Sequence, residues 1–265
     1  GGLVSPASDG YPEAWFPPGE SATYYYPNEQ PAATLWYHDH TLGITRLNIV
    51  AGLAGFYLIR DSVEDGLNLP REEYEIPLLI QDRTFNMDGS LSYPTKGQDD
   101  PDTPPVWVPE FFGDTILVNG KVWPFLEVEP RKYRFRFLNG SNSRFYRLSL
   151  DSGQYFYQIG TDGGFLPSPV PVKKLLIAPA ERADVIIDFT GLPQGTQILL
   201  TNDAKAPFPD GDELMIPEIM QFRVIPLREP DVSTIPATMP FVSLSQTPAT
   251  PVRELTLNEY KSKQD

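Results

Sequence analysis

Apolar and polar residues alternate along much of the chain after residue 110. In residues 132–137 aromatic side chains alternate with basic ones. Because alternate residues of a strand point to opposite faces, Tyr133, Phe135 and Phe137 are expected to share one face. Asn119-Gly120 lies between two apolar runs and predicts a hairpin turn. Further strands are predicted at residues 146–150, 155–159, 174–177, 183–189, 197–201 and 219–225. Many short strands at this spacing predict an all-β sandwich or barrel.

The first 60 residues are less regular. Prolines and glycines interrupt residues 1–22, which are predicted to be loop. Residues 42, 45, 46 and 49 fall at helical spacing, so a short helix is expected there. Strands are predicted on both sides of it, at residues 23–27, 33–38 and 56–60.

Composition and periodicity divide the chain into five segments, which are residues 1–61, 62–75, 76–225, 226–251 and 252–265. The second segment is charged and polar, and the fourth is rich in proline, serine and threonine, so both are predicted to be linkers. The third segment holds most of the predicted strands, and a proline-rich surface loop at residues 93–110. Alternation at residues 253–257 indicates that the last segment begins a further domain.

Composition narrows the possible functions. The formal net charge of −14 argues against binding nucleic acid or an anionic membrane surface, because both depend on basic patches. No apolar run reaches the roughly 18 residues of a membrane span. The 29 prolines and 20 glycines fit a loop-rich β protein. The chain contains no cysteine, so it forms no disulfide.

The only two histidines of the chain, His38 and His40, lie two residues apart in an apolar, β-prone run. In a strand their side chains would share a face, with Cβ atoms roughly 6.6 Å apart. That spacing is awkward for two ligands of one ion and suits one imidazole on each of two neighbouring ions. Imidazole favours copper, zinc, iron and nickel, so the pair indicates a transition-metal centre. The alternative is a half-buried strand with two unmetallated histidines.

Seven stretches of the chain share the pattern of one known family. They are residues 9–16 (DGYPEAWF), 35–41 (LWYHDHT), 45–48 (TRLN), 51–59 (AGLAGFYLI), 116–124 (ILVNGKVWP), 129–136 (EPRKYRFR) and 178–182 (APAER). In this order they resemble a multicopper oxidase of the bacterial spore-coat laccase and bilirubin oxidase type. The histidine pair is similar to the second of the family's His-x-His motifs.

This resemblance implies cupredoxin-like Greek-key β-sandwich domains, the first of them incomplete. It implies that His38 and His40 each ligate a different copper ion of the type 3 pair in a trinuclear cluster, where O₂ is reduced to water. The electrons would come from phenols, aryl amines, tetrapyrroles or metal ions, so the expected partners are a small reducing substrate and O₂. The resemblance also favours a secreted, periplasmic or spore-coat location.

The resemblance also indicates ligands that this chain does not supply. The family uses four such motifs and a cysteine that ligates the type 1 copper, whereas this chain has one motif and no cysteine. The family's first motif ends in His-Gly-Gly, and the chain begins at Gly1-Gly2. We therefore expect an internal fragment of a longer oxidase, inactive alone, whose remaining ligands come from the rest of the polypeptide.

Two acidic residues near the motif have different expected roles. By resemblance, Asp9 matches an acidic residue near the copper cluster that helps to supply protons, and a positioned carboxylate can relay them. The alternative is a turn residue, because Asp-Gly favours turns. Asp39 is expected to accept a hydrogen bond from nearby backbone.

Other residues are expected to be structural. Core packing is predicted for four aromatic residues, which are Trp15, Trp36, Tyr37 and Trp123. A solvated sheet face is predicted for four basic residues, which are Arg134, Arg136, Arg144 and Arg147. The turn at Glu181-Arg182 is expected to be structural. The stretch Phe111-Phe112-Gly113 is a candidate rim of the substrate mouth.

Two other classes of function remain open at this point. One is a copper-free cupredoxin scaffold that binds protein partners, against which the intact pair of His38 and His40 argues. The other is a small copper carrier, which usually shows cysteine or methionine-rich ligands. The chain has no cysteine and four scattered methionines.

Overall fold

The computed structural model describes residues 2–94, 110–214, 217–241 and 254–256. Strands dominate these residues, as the alternating pattern predicts. Two short α-helices are present, α1 (Thr45–Val50) and α2 (Ser62–Asp65), with single 3-10 turns at Pro6–Ser8 and Glu72–Tyr74. None of the helices in the described residues is long and apolar enough to cross a membrane.

The first two strands flank α1, and the remaining strands of the described residues follow α2. The strands are β1 (Ala33–His38), β2 (Ala54–Ile59), β3 (Glu75–Arg83), β4 (Thr115–Val118), β5 (Lys121–Val122), β6 (Phe125–Val128), β7 (Lys132–Asn139), β8 (Tyr146–Leu150), β9 (Phe156–Thr161), β10 (Gly164–Val172), β11 (Leu175–Ile177), β12 (Arg182–Asp188), β13 (Gln197–Asn202) and β14 (Glu218–Val224). The short helix predicted after the histidine pair and the hairpin at Asn119-Gly120 are both confirmed. Both turn residues have positive φ, 50° and 75°, as a tight hairpin turn requires.

The strands form three sheets. β1 and β2 pair antiparallel as a two-stranded sheet. A seven-stranded sheet has the order β10-β9-β12-β7-β3-β4-β5, and a five-stranded sheet has the order β11-β8-β13-β14-β6. Most neighbours pair antiparallel, but β3 pairs parallel with β7 and β6 pairs parallel with β14. The two larger sheets face each other and are called the sandwich below.

Aromatic side chains fill the space between the two larger sheets. Tyr133, Phe135 and Phe137 all point inward from β7, as their alternation predicts, and at most 4% of each is exposed. The ring centroid of Phe222, on the opposite sheet, lies 5.3 Å from those of Phe135 and Phe189. Such ring pairs add to the stabilisation from burying their area. The core therefore follows directly from the period-two pattern.

The opposite face of β7 corrects the expectation of a solvated basic face. Arg134 and Arg136 are each 1% exposed, and Arg144 is 5% exposed. Alternation along β7 places Arg134 and Arg136 away from the aromatic core, but other parts of the chain cover them there, and Arg144 lies in the turn after β7. Arg134 and Arg136 both donate to Glu64 of α2, and Arg144 donates to Asp82. The prediction holds only for Arg147, whose side chain is 41% exposed.

The segments predicted to be linkers pack against the sandwich. Glu64 and Leu69 are each 3% exposed, and Met239 packs with Leu69 in a small apolar cluster. Asp231 accepts hydrogen bonds from Lys132 at the start of β7. These segments therefore contribute buried surface. The predicted segment boundaries remain predictions.

Some local predictions differ from the structure. Residues 23–27 form no strand, and their three tyrosines are exposed. The pattern missed β10, which contains three prolines, because proline is tolerated in an edge strand and β10 lies at the edge of its sheet. Of the alternating stretch at residues 253–257, the described residues 254–256 form no strand, and most of the predicted loop at 93–110 lies outside the described residues.

Candidate metal centre

His38 is the last residue of β1, and the pairing of β1 with β2 fixes its place. The two strands are antiparallel, with His38 opposite Ala54. Alternation puts Thr34, Trp36 and His38 on one face of β1. The Trp36 ring lies against His38, with the ring centroids 4.3 Å apart. The strand therefore presents the imidazole at its end, supported by a large neighbouring ring.

A backbone hydrogen bond determines which nitrogen of His38 is free. Nδ1 of His38 lies 2.7 Å from the carbonyl oxygen of Asp39. A carbonyl oxygen can only accept, so Nδ1 must donate the proton. The lone pair of a neutral imidazole is then on Nε2. A backbone carbonyl bonded to one ring nitrogen orients the other as a metal ligand in many metal sites.

His40 lies beyond the end of β1, so the prediction that both histidines belong to one strand is wrong for this residue. The turn after His38 ends the strand, because the Asp39 carboxylate accepts hydrogen bonds from the backbone nitrogen and hydroxyl of Thr41. The two imidazole rings nevertheless remain neighbours, with their centroids 5.4 Å apart. His38 is half-buried and His40 is exposed.

Asp39 stabilises this turn, as expected, and is not a third ligand. Burial would raise the pKa of its carboxyl, but hydrogen bonds from Asn48 and Thr41, with His38 nearby, hold the pKa below its usual value. Asn48 belongs to α1, so the carboxylate ties the histidine turn to the helix that follows it. The backbone nitrogen of Asp39 also donates to the carbonyl of Leu53.

The two histidines are a type of ligand that copper binds well, but two ligands are fewer than a closed copper site has. Two neutral imidazoles, one with Nε2 free, are ligands that copper accepts well. Across residues 2–94, 110–214, 217–241 and 254–256, no group of three or more histidine, cysteine, aspartate or glutamate residues could hold a metal ion. The chain has two histidines and no cysteine in all. His38 and His40 are therefore the only imidazole or thiolate donors that this chain can offer a metal.

Both histidines line a pocket of about 650 Å³. Asp9 lines the same pocket and is exposed, so the structure brings together all three predicted site residues. The 3-10 turn at Pro6–Ser8 directly precedes Asp9, and the backbone nitrogen of Asp9 donates to the carbonyl of Pro6. The glycine after Asp9 has a positive φ of 73°, as expected for an Asp-Gly turn. A turn role and a pocket role are thus both compatible with this position.

Aromatic residues around the pocket correct the expectation of core packing. Trp15 and Tyr37 are 62% and 60% exposed, and both line the pocket. Tyr37 lies across the backbone of Gly55, where a Cβ would come within 2.7 Å of its hydroxyl. Trp123 is 38% exposed and donates to the carbonyl of Glu218. Alternation and aromatic content do not reveal whether a ring faces a core or an open pocket.

Arg182 forms one wall of the pocket, a role that the sequence did not suggest. It comes from the sandwich, whereas every other lining residue lies within residues 2–59. In the sequence, the APAER stretch at residues 178–182 was the one feature that drew attention to Arg182, and it indicated only a turn. In contrast, Phe111 and Gly113 are buried and do not line this pocket. Their place at a substrate mouth stays a prediction.

The chain matches known sequences of multicopper oxidases. Residues 2–64 and residues 86–211 each match a family profile described as multicopper oxidase. The chain is 52% identical to a laccase of Bacillus stratosphericus over 280 residues, which cover 99% of this chain and 54% of that protein. It is 40% identical to multicopper oxidase LPR1 of Arabidopsis thaliana, covering 100% of this chain and 48% of that protein. The chain thus spans about half the length of the curated relatives it matches.

Solved structures give the same result for the fold. The chain superimposes on McoA multicopper oxidase from the hyperthermophile Aquifex aeolicus with a TM-score of 0.77 and 37% identity, covering 89% of this chain and 51% of that one. A multi-copper oxidase from Pediococcus acidilactici gives a TM-score of 0.77 at 30% identity, covering 94% and 48%. The cupredoxin-like all-β sandwich is therefore confirmed, and copper is the metal that the family implies. The chain belongs to the multicopper oxidase family, with laccases of Bacillus among its relatives.

Proposed function

We propose that this chain is the part of a laccase-like oxidase that supplies two histidine ligands to its oxygen-reducing copper cluster. The observation that carries the proposal is the hydrogen bond from Nδ1 of His38 to the Asp39 carbonyl, which leaves Nε2 free beside His40 in an open pocket. Each imidazole would ligate one copper ion of a type 3 pair. Bound copper supplies the redox chemistry, the four-electron reduction of O₂ to water.

Asp9 is the proposed source of protons. Reduction of one O₂ to two waters consumes four electrons and four protons, and a carboxylate that faces the pocket can relay protons from solvent. Asp9 is exposed and lines the pocket of the histidines, so it meets both conditions. Its role is then to accept a proton from bulk water and release it into the pocket.

The electrons would come from a small reducing substrate and would enter the oxidase at a site that this chain does not supply. Phenols, aryl amines, tetrapyrroles and metal ions are the proposed classes of substrate. In this family the electrons enter at a copper ligated by cysteine, and this chain has none. The remaining ligands are therefore proposed to come from further polypeptide of the oxidase. A secreted, periplasmic or spore-coat location is proposed with this function.

Copper binding by the purified chain tests the proposal. His38 and His40 are the only histidines, so replacing both with alanine removes every imidazole. Titration with Cu²⁺, followed by calorimetry and by pulsed EPR for coupled imidazole nitrogen, should detect binding in the unaltered chain and lose it in the double variant. Tyr37→Phe is the matched control, because it alters an exposed neighbour without changing a ligand.

Equal Cu²⁺ binding by the unaltered chain and by the double variant would overturn the proposal. The same result would favour the alternative of a copper-free scaffold. Asp9→Asn gives a separate test in the assembled oxidase. Its O₂ reduction should slow, and the loss should be greatest at high pH, where protons are scarce. An unchanged pH profile would remove Asp9 from the proton path.

A further inference from the structure

Two arginines of the sandwich hold the strand that carries His38. Nε of Arg182 donates to the carbonyl oxygen of Thr34 at 3.0 Å, and Nη1 of Arg136 donates to the hydroxyl of Thr34 at 2.7 Å. Thr34 is 2% exposed, four residues before His38 on β1. Its carbonyl and its hydroxyl are thus both tied to the sandwich, away from water.

The arginines are themselves held rigidly. Arg136 donates to Glu75 at 2.5 Å and to Glu64 at 2.7 Å. Arg182 donates to the carbonyl oxygens of Ala180 and Asp162, and forms an ion pair with the Asp162 carboxylate at 3.3 Å. A guanidinium with most of its donors engaged in fixed directions has little freedom to follow a moving strand.

A close backbone approach adds a third contact to β1. Gly164, at the start of β10, has φ of +122°, and a Cβ there would come within 2.9 Å of the carbonyl oxygen of Ala32. The hairpin of β9 and β10 therefore abuts the chain two residues before Thr34. Together these contacts fix the start of β1 against the sandwich.

The held residue and the histidine lie on one face of the same strand. Thr34, Trp36 and His38 alternate along that face, and the Trp36 ring contacts His38. β1 is extended and paired along its whole length with β2, so a shift at Thr34 is carried to His38. Arg182 itself reaches the histidine pocket.

We infer that Arg182, assisted by Arg136, is a positioning residue for the histidine pair. By fixing Thr34 it sets the direction in which His38 and the following turn face the pocket. The inference rests on the proposed function of the pair as metal ligands. It assigns to the turn at Glu181-Arg182 a role toward His38, which lies 144 residues before Arg182 in the chain.

Arg182→Lys is the sharpest variant, because it keeps the positive charge and loses the planar fork. An ammonium group cannot bond the carbonyls of Thr34, Ala180 and Asp162 in the geometry that guanidinium allows. Arg147→Lys is the matched control, since Arg147 pairs with Asp203 on the surface and contacts none of these residues.

The first measurement is the position of β1 relative to the sandwich. The chain has no cysteine, so spin labels can be placed at Leu53→Cys, beside β2, and at Val122→Cys, on β5. Both positions are exposed. Pulsed dipolar EPR should give a narrow distance distribution in the otherwise unaltered chain and with Arg147→Lys. It should give a broadened or shifted distribution with Arg182→Lys.

The second measurement is the Cu²⁺ complex of the histidine pair in chains without labels. Arg182→Lys should weaken Cu²⁺ binding by about tenfold, as loss of residues that orient ligands does in other metal sites. Its Cu²⁺ EPR spectrum should also change, whereas Arg147→Lys should leave both unchanged. A role in stability alone would leave the spectrum of the folded protein unaltered.

An unchanged distance distribution with Arg182→Lys would overturn the inference, and so would a broadened distribution with an unchanged Cu²⁺ affinity and spectrum. If Arg182→Lys does not fold, Arg182→Gln, which keeps a side-chain amide donor but loses the guanidinium, is judged by the same two outcomes, and Thr34→Val tests the assisting bond from Arg136. Failure of the proposed function would look different. The histidine double variant would then bind Cu²⁺ as well as the unaltered chain, while the distances still report whether Arg182 holds β1.

Discussion

The guanidinium of Arg134 forms a bidentate ion pair with the carboxylate of Asp184, with Nε 2.9 Å from Oδ1 and Nη2 2.5 Å from Oδ2. Both residues are almost fully buried, on neighbouring strands of the seven-stranded sheet. Nη1 of Arg134 also donates to Glu64 of α2. The pair therefore links the sandwich to the segment that follows the β1–β2 sheet. The pair stabilises the fold only while each charge keeps its partner, because water is excluded from this region and cannot solvate an unpaired charge.

Removing one partner of this pair should be strongly destabilising. Arg134→Met leaves the Asp184 carboxylate buried with less compensation, and breaking buried pairs in this way costs about 3–5 kcal/mol. Urea unfolding followed by circular dichroism measures the loss. Arg147→Met is the control, because its partner Asp203 is on the surface and such pairs contribute about 0–1 kcal/mol. Similar losses for both variants would contradict a special role for burial.

Stability should fall in acid. Burial would raise the pKa of Asp184, but Arg134 and Arg136 outweigh it and hold the pKa below its ordinary value. Burial would likewise raise the pKa of Glu75, but Arg136 and Arg134 hold that pKa below its ordinary value. Because both pKa values are lower in the folded state, their contribution is complete above the ordinary carboxyl values of about 4 and is lost as the pH falls through the lowered values.

Unfolding free energies measured at a series of pH values test this expectation. The unaltered chain should lose stability steeply at acid pH, and Asp184→Asn should be less stable at neutral pH with a shallower dependence. If Asp184→Asn follows a curve of the same slope, Asp184 does not carry the pH dependence.

Replacing Gly164 with alanine should destabilise the chain. A φ of +122° is strained for any residue with a Cβ, and the new methyl group would meet the Ala32 carbonyl. Backbone strain of this kind costs about 1–3 kcal/mol. Thermal unfolding checks the result, with Gly163→Ala as the adjacent control, since a Cβ there meets no atom within 4 Å. Equal melting temperatures for the two variants would count against the close approach.

The purified chain should not oxidise a phenolic substrate, even with copper added. It supplies two imidazoles and no thiolate, so it has neither a complete oxygen site nor a cysteine for electron entry. Oxygen uptake with a phenol and Cu²⁺ measures this, and the histidine double variant corrects for oxidation by loosely bound copper. Turnover that depends on both His38 and His40 would refute the expectation.

Much of the sandwich could be predicted from the sequence because its signals are local. The alternation around Phe135 decides which side chains face the core, and Asn119-Gly120 decides where a hairpin turns. The histidine pair could be proposed as a transition-metal centre from residue type and spacing, whereas a role for Asp9 came only from the resemblance to multicopper oxidases. The prolines of β10, in contrast, hid this strand from prediction. Proline has no backbone N–H to donate, so such a strand is stable only at the edge of a sheet. The sequence does not show which strand lies at the edge.

Tertiary structure alone decided what lies against each face. Period two separates Arg134 from Phe135, but it cannot tell whether the basic face meets water or the acidic residues of α2. The same limit applies to Thr34 and Arg182, which lie 148 residues apart in the chain and 3.0 Å apart in space. Contacts of this kind depend on how separately formed elements pack, and the free energy that selects them comes from burial and charge pairing across the whole fold rather than from any local pattern.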